Sequence, residues 1–185
     1  MRNYDDSHIL EQNISSERVF DGIILNIDHL TNRLPNGNLA KREIIRHIGA
    51  AAVLPVDAEG NVYLVRQFRA PLDRVLMEIP AGKLDYKGED RLEAAQRELR
   101  EETGLTAESW THLNDMLSTV GFCDECISLF LARGLSSGEG EPDEDEFVNV
   151  VKMPLSEAVD MAMNNEICDA KTVCALMMAW KILNS

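Results

Sequence analysis

Near the middle of the chain, three carboxylates crowd into five residues, within Arg97-Glu98-Leu99-Arg100-Glu101-Glu102-Thr103-Gly104-Leu105. On a helix, Glu98, Glu101 and Glu102 share one face, because residues three and four apart are neighbours. Leu92, Ala95 and Leu99 form an apolar stripe at the same spacing, so the predicted helix docks on a core. Asp90 followed by Glu93 reads as a capping box that starts it, and Gly104 as its C-cap. A loop from Gly82 to Gly88 leads in, and its glycines let the backbone turn toward a ligand. Like charges on a docked face repel unless something positive sits among them. The Arg97–Glu101 pair contributes only about 0.3 kcal/mol. A hard divalent cation such as Mg²⁺, which takes oxygen ligands, is the simplest answer. The other reading is a solvated helix face laced with ion pairs.

Strand patterns precede this helix. Val19 to Ile27 and Lys41 to His47 read as strands joined by the turn Leu34-Pro35-Asn36-Gly37-Asn38. Ala50 to Val56 and Val62 to Gln67 follow, separated by Asp57-Ala58-Glu59-Gly60-Asn61, and Met77 to Ile79 is short and extended, stopped by Pro80. After the helix, Leu113 to Ser118, Cys126 to Ala132 and Val148 to Met153 are strand candidates, with Gly134 to Glu146 as a polar loop. Two helices close the chain. Leu155 to Asn164 has Ser156 as N-cap; Asp169 to Leu183 has Asp169 as N-cap and an apolar face of Val173, Leu176, Met177 and Trp180. Strands, helix, strands and helices in that order predict an α/β fold: a mixed sheet between helices.

The 185 residues suit one domain, and a hydrophobic share of 45% supports a core. A net charge of −14, from 32 acidic against 18 basic residues, argues against nucleic acid or an anionic membrane as partner. An anionic substrate stays compatible if a metal neutralises the contact. Cys123-x-x-Cys126 has zinc or redox spacing, yet it has no companion pair and leads into an apolar run. Reduced thiols, and a cytoplasmic protein, are the expectation for Cys123, Cys126, Cys168 and Cys174. The N-terminal MRNYDDSHILEQ lacks the apolar core of a signal peptide, and no apolar run nears the ~20 residues of a membrane span.

The segment resembles the Nudix box, G-x5-E-x7-R-E-U-x-E-E-x-G-U with U a bulky apolar residue. Glu89, Arg97, Glu98, Leu99, Glu101, Glu102, Gly104 and Leu105 fit at the family spacing. The departure is one extra residue between Gly82 and Glu89, in the loop rather than on the helix. The resemblance implies a Nudix α/β/α sandwich over residues 46–185 and Mg²⁺, or Mn²⁺, held by Ala81, Glu98, Glu101 and Glu102. Arg97 would orient the glutamates.

Three further stretches are similar to the ADP-ribose pyrophosphatase branch. The first is Val65-Arg66-Gln67-Phe68-Arg69 followed by Met77-Glu78-Ile79-Pro80-Ala81-Gly82. In that branch the arginine matching Arg69 contacts the diphosphate and the carbonyl matching Ala81 is a metal ligand. Glu78, Gly82 and Phe122 join Arg69 as substrate-binding residues on the same ground, although Arg69 and Glu78 could equally form a plain ion pair. The second stretch is Thr119-Val120-Gly121-Phe122-Cys123-Asp124-Glu125, with Val120 where the branch carries a proline. The third is the acidic loop before Phe147, where Glu146 matches the branch's general base and Glu144 is the reserve; a plain acidic surface loop is the other reading. The resemblance also implies an N-terminal extension, residues 1–45, forming a small antiparallel sheet used in a homodimer. The implied reaction is metal-dependent hydrolysis of ADP-ribose to AMP and ribose 5-phosphate. Another nucleoside diphosphate sugar or dinucleotide, such as GDP-mannose or NADH, or a non-catalytic nucleotide sensor, are the alternatives.

Overall fold

The computed structural model describes residues 4–138 and 147–185. The chain gathers into two units, Met1–His47 with Thr119–Glu125, and Ile48–Ser118 with Cys126–Ser185.

The first unit carries an antiparallel sheet of β1 (Gln12–Asp21), β2 (Asn26–Arg33) and β3 (Leu39–Arg46), in that order. The strand expected across Val19 to Ile27 is therefore two strands. The chain turns between them, with the Gly22 N–H donating to the Leu25 carbonyl at 2.9 Å. The hairpin at Leu34 to Asn38 is present, closed by Gly37 N–H to Leu34 O at 2.8 Å with Gly37 at φ +86°. Asp28, buried within this sheet, accepts from Arg18 Nε at 2.6 Å and Arg46 Nε at 2.9 Å. Asp124 extends that ladder, taking Arg46 Nη1 at 3.0 Å and the His47 N–H at 2.7 Å.

The second unit runs β4 (Ala50–Pro55), β5 (Asn61–Arg69), β6 (Arg74–Glu78), β7 (Ala81–Lys83), α1 (Arg91–Thr103), β8 (Leu105–Leu117), β9 (Cys126–Ser137), β10 (Val148–Pro154), α2 (Leu155–Met163) and α3 (Ala170–Leu183). Its sheets have the orders β7-β4-β9-β8 and β10-β5-β6. β4 pairs β9 in parallel and β7 antiparallel, so the first is a mixed sheet. Every residue of β4 is buried, as expected for a strand covered on both faces. Side chains alternate across a strand, so Ala51 and Val53 face Ala94, Ala95 and Leu99 of α1. Ala50, Ala52 and Leu54 join Leu129 and Leu131 of β9, Val62 and Leu64 of β5, and Leu176 and Ala179 of α3. Helices thus cover both faces of the mixed sheet, the expected α/β/α arrangement.

Other details depart from the expected elements. β8 begins at Leu105 rather than Leu113, and β9 continues to Ser137, because Leu105–Ala107 pairs with Leu135–Ser137. Backbone pairing here overrides the weak strand preference of Gly134, Ser136 and Ser137. α2 starts after Pro154 and not at Ser156; its Leu155 N–H donates to the Gly60 carbonyl at 3.0 Å, with no side-chain cap. Among the described residues, no helix is long and apolar enough to cross a membrane.

Leu129 has no exposed surface at the centre of the larger core cluster. Leu129→Ala is expected to lower the unfolding free energy by about 2–5 kcal/mol in urea titrations. A loss under about 1 kcal/mol would show that the two-faced burial of the sheet is misassigned.

Candidate active site

α1 is set by its ends. Asp90 Oδ1 accepts the N–H groups of Leu92 and Glu93 at 2.8 and 3.1 Å, and Gly104 closes the helix at φ +67°. That phase buries Ala94, Ala95, Glu98, Leu99 and Glu102 on one stripe. The apolar members meet the sheet, and the two glutamates meet β7. Glu102 Oε2 accepts the Ala81 N–H at 3.0 Å. A β-carbon added to Gly82 would lie 2.0 Å from Glu98 Oε1, so glycine alone admits that carboxylate. Glu98 and Glu102 are only 5% and 6% exposed.

Arg97 lies across the same cluster. Its Nη1 donates to Glu98 Oε1 at 2.7 Å and Glu101 Oε2 at 3.0 Å, and its Nη2 to the Lys83 carbonyl at 3.3 Å. Burial works against its charge, but Glu98, Glu101 and Asp85 prevail and hold its pKa above the usual arginine value. The Arg97 Nε is a buried donor without a hydrogen bond, with Asp85 at 3.4 Å and Glu89 at 3.7 Å. Glu89 Oε2 accepts the Asp85 N–H at 2.7 Å and so ties down the loop that carries the extra residue. Tyr86 in this loop is exposed, and the Gly82–Glu98 and Glu89–Arg97 approaches are both made.

Next to this cluster, Arg69 and Glu78 form a two-pronged pair. Arg69 Nε and Nη2 donate to Glu78 Oε1 and Oε2, both at 2.7 Å. Lys171 Nζ, from the first turn of α3, also bonds Glu78 Oε2. Burial pushes the Glu78 carboxyl up, but Arg69 and Lys171 outweigh it and bring its pKa down from 4.5 to about 2. Arg69 is held above its ordinary value, first by the Glu78 hydrogen bond, with Glu102 contributing through its charge.

Ala81, Gly82, Arg97, Glu98, Glu101 and Glu102 therefore come together on α1 and β7, with Arg69 and Glu78 beside them. Phe122 belongs to the first unit, in the turn after Thr119, and is 52% exposed. Glu144 and Glu146 lie outside the described residues. Glu98, Glu101 and Glu102 themselves offer only oxygen ligands, which suits a hard divalent cation. Among the described residues no three His, Cys, Asp or Glu side chains converge as a ready cage. Glu98 and Glu101 are instead turned to Arg97, so a cation would share them with that guanidinium. All four cysteines are free thiols.

Sequence reasoning missed Lys171 and Thr172. The signal was available: the buried stripe of α3 is Lys171, Thr172, Ala175, Leu176 and Ala179, which puts a lysine where an apolar residue is expected.

The NUDIX domain profile matches residues 45–176. An ADP-ribose pyrophosphatase of Bacillus subtilis (strain 168) is 45% identical over 168 residues, covering 90% of each chain. A methanol dehydrogenase activator of Bacillus methanolicus is 43% identical over 168 residues, again 90% of each. A crystal structure of an ADP compounds hydrolase superposes with a TM-score of 0.83 over 94% of both chains at 24% identity, a likeness of fold.

Two outcomes are expected from this geometry. Gly82→Ala should drive Glu98 off its seat, lowering the melting temperature and weakening any stabilisation by divalent metal; an unchanged melt with and without metal would refute the close approach. The depressed Glu78 pKa makes stability pH-dependent in one direction. The contribution is complete above pH 4.5 and is lost as pH falls toward 2. The wild-type advantage over Glu78→Gln should shrink over that window in denaturant titrations. A constant difference from pH 7 to pH 2 would contradict it.

Proposed function

The chain belongs to the NUDIX family, and from that premise we propose that it hydrolyses the diphosphate linkage of ADP-ribose to AMP and ribose 5-phosphate. It is a NUDIX pyrophosphohydrolase by family, and such enzymes generally need a divalent metal. The observation that carries the reading is the seating of two buried glutamates of α1 on Ala81 and Gly82, beside an arginine held in a carboxylate fork. The substrate is taken from the Bacillus subtilis ADP-ribose pyrophosphatase, to which this chain is alike over nearly its whole length.

Glu98, Glu102, Glu101 and the Ala81 carbonyl are the proposed metal ligands, with Mg²⁺ the ion and Mn²⁺ a substitute. A cation held by these residues would supply charge neutralisation of the diphosphate oxygens, which otherwise repel the attacking water. Arg97 orients Glu98 and Glu101, as its two short hydrogen bonds support. Arg69 binds a phosphate, since its guanidinium keeps Nη1 clear of any hydrogen bond among the described residues. Glu78 serves this subsite through Arg69. Glu146 takes the proton of the water whose oxygen bonds to phosphorus as the linking P–O bond breaks, with Glu144 in reserve. Phe122 and Gly82 complete the proposed substrate contacts.

We further propose a cytoplasmic homodimer, with residues 1–45 as the dimerising strand extension and 46–185 as the hydrolase domain. Free cysteines support the compartment. Exposed Ile14, Val19, Phe20, Ile24 and Leu25 on the first unit support an interface there.

Initial rates on ADP-ribose, ADP-glucose, GDP-mannose, NADH and diadenosine polyphosphates test the substrate. ADP-ribose should be cleaved fastest, and only with metal. A clear preference for another member would keep the chemistry and replace the substrate. Glu98→Gln and Glu102→Gln should each lower kcat at least about a hundredfold with circular dichroism unchanged. Near-native rates at saturating Mg²⁺ in either variant would sink the ligand assignment.

A further inference from the structure

Lys171 is a buried cation for which the chemistry above has no part. It is 8% exposed, on the core-facing stripe of α3. Burying an ammonium and a long side chain opposes folding through lost hydration and lost rotamers. An apolar residue at this position would pack against the sheet without the lost hydration. A buried ion pair is weak grounds for stability, which leaves the geometry it fixes as the reason to look for.

The geometry specified is that of Arg69. Lys171 Nζ bonds Glu78 Oε2 and, at 3.0 Å, Asp169 Oδ2, the N-cap carboxylate of α3. Glu78 Oε2 also accepts Arg69 Nη2 and Glu78 Oε1 accepts Arg69 Nε, each at 2.7 Å. One carboxylate is thus fixed from two sides. Thr172 steadies the adjoining backbone: its Oγ1 accepts the Ile79 N–H at 2.9 Å and donates to Asp169 Oδ2 at 2.6 Å. The first turn of α3 therefore grips both the side chain of Glu78 and the main chain of Ile79. A guanidinium bound through Nε and Nη2 has its plane set, and Nη1 points along the remaining edge.

We propose that Lys171 is a positioning residue: by tying Glu78 to the first turn of α3, it fixes the plane in which Arg69 presents Nη1 to a phosphate of the nucleoside diphosphate substrate. This rests on the ADP-ribose reading above. Removing Lys171 leaves Glu78 and Arg69 in contact but free to pivot together. Displacements on the ångström scale at a binding group can cost up to about a hundredfold in rate.

The test is a cycle of Arg69→Ala, Lys171→Met and the double variant, with KM and kcat measured on ADP-ribose and Mg²⁺, and melting temperature measured alongside. Lys171→Met should raise KM roughly tenfold with a smaller change in kcat. The double variant should have the same KM as Arg69→Ala alone, and Lys171→Arg should recover part of the loss. If Lys171→Met does not fold, Lys171→Gln, which removes the ammonium but keeps a polar side chain and leaves the Arg69–Glu78 fork in place, should fold with a KM raised at least about threefold. Effects of Arg69 and Lys171 that multiply, or a KM within twofold of wild type in folded Lys171→Met or Lys171→Gln, would overturn the proposal while wild-type cleavage of ADP-ribose stands. Wild-type protein that leaves ADP-ribose intact would overturn the substrate reading and this proposal with it.

Discussion

Two glutamates of α1 are seated against the backbone of Ala81 and Gly82, and most of the second unit serves that contact. Glu102 takes the Ala81 N–H, and Glu98 fills the space that a Gly82 side chain would occupy. For both to reach β7, α1 must lie close on the sheet, and the alanines at the interface allow it. Ala51 of β4 and Ala94 and Ala95 of α1 have no exposed surface. The helix phase is fixed at one end by the Asp90 cap and at the other by Gly104. A change of phase by one residue would turn the carboxylates away from β7 and put charge into the core.

The segment Glu78 to Gly82 is held from two directions. α1 grips its second half through Glu98 and Glu102, and α3 grips its first half through Lys171 and Thr172. Pro80, between them, lends its carbonyl to the Val53 N–H at 2.9 Å, which docks the segment on β4. Five consecutive residues thus connect the acidic cluster to the Arg69 fork, and a shift of either helix is transmitted to both. Charge follows the same plan: Glu98 faces Arg97 and Glu78 faces both Arg69 and Lys171, while Glu102 takes the backbone N–H of Ala81.

Local rules carried the reading of α1 well. Its cap, its apolar stripe and its glycine stop all act within a few residues, so Asp90, Leu99 and Gly104 could be placed from spacing alone. The α/β class followed from element order. What spacing could not supply was pairing at a distance. β8 and β9 run on through Leu105 and Ser137 because each provides the other's hydrogen bonds, and the serines and glycine there have no strand preference of their own. The Lys171–Glu78 bond joins residues 93 apart in the chain, beyond any local pattern. Even so, a lysine one residue inside the N-terminus of an otherwise apolar stripe was a readable anomaly. Glu98 and Glu102 were visible as a charged pair, but their burial against Gly82 required the folded chain.

Direct metal binding tests the central claim that this glutamate pair on β7 is a cation site. Mn²⁺ binding followed by electron paramagnetic resonance, with wild-type protein and Glu102→Gln side by side, separates the outcomes without recourse to activity. Wild-type protein should remove free Mn²⁺ from solution, Mg²⁺ should compete for the same site, and Glu102→Gln should bind far more weakly. Wild-type protein that leaves Mn²⁺ free, or a variant that binds it equally well, would show that the glutamate pair on β7 is not a cation site.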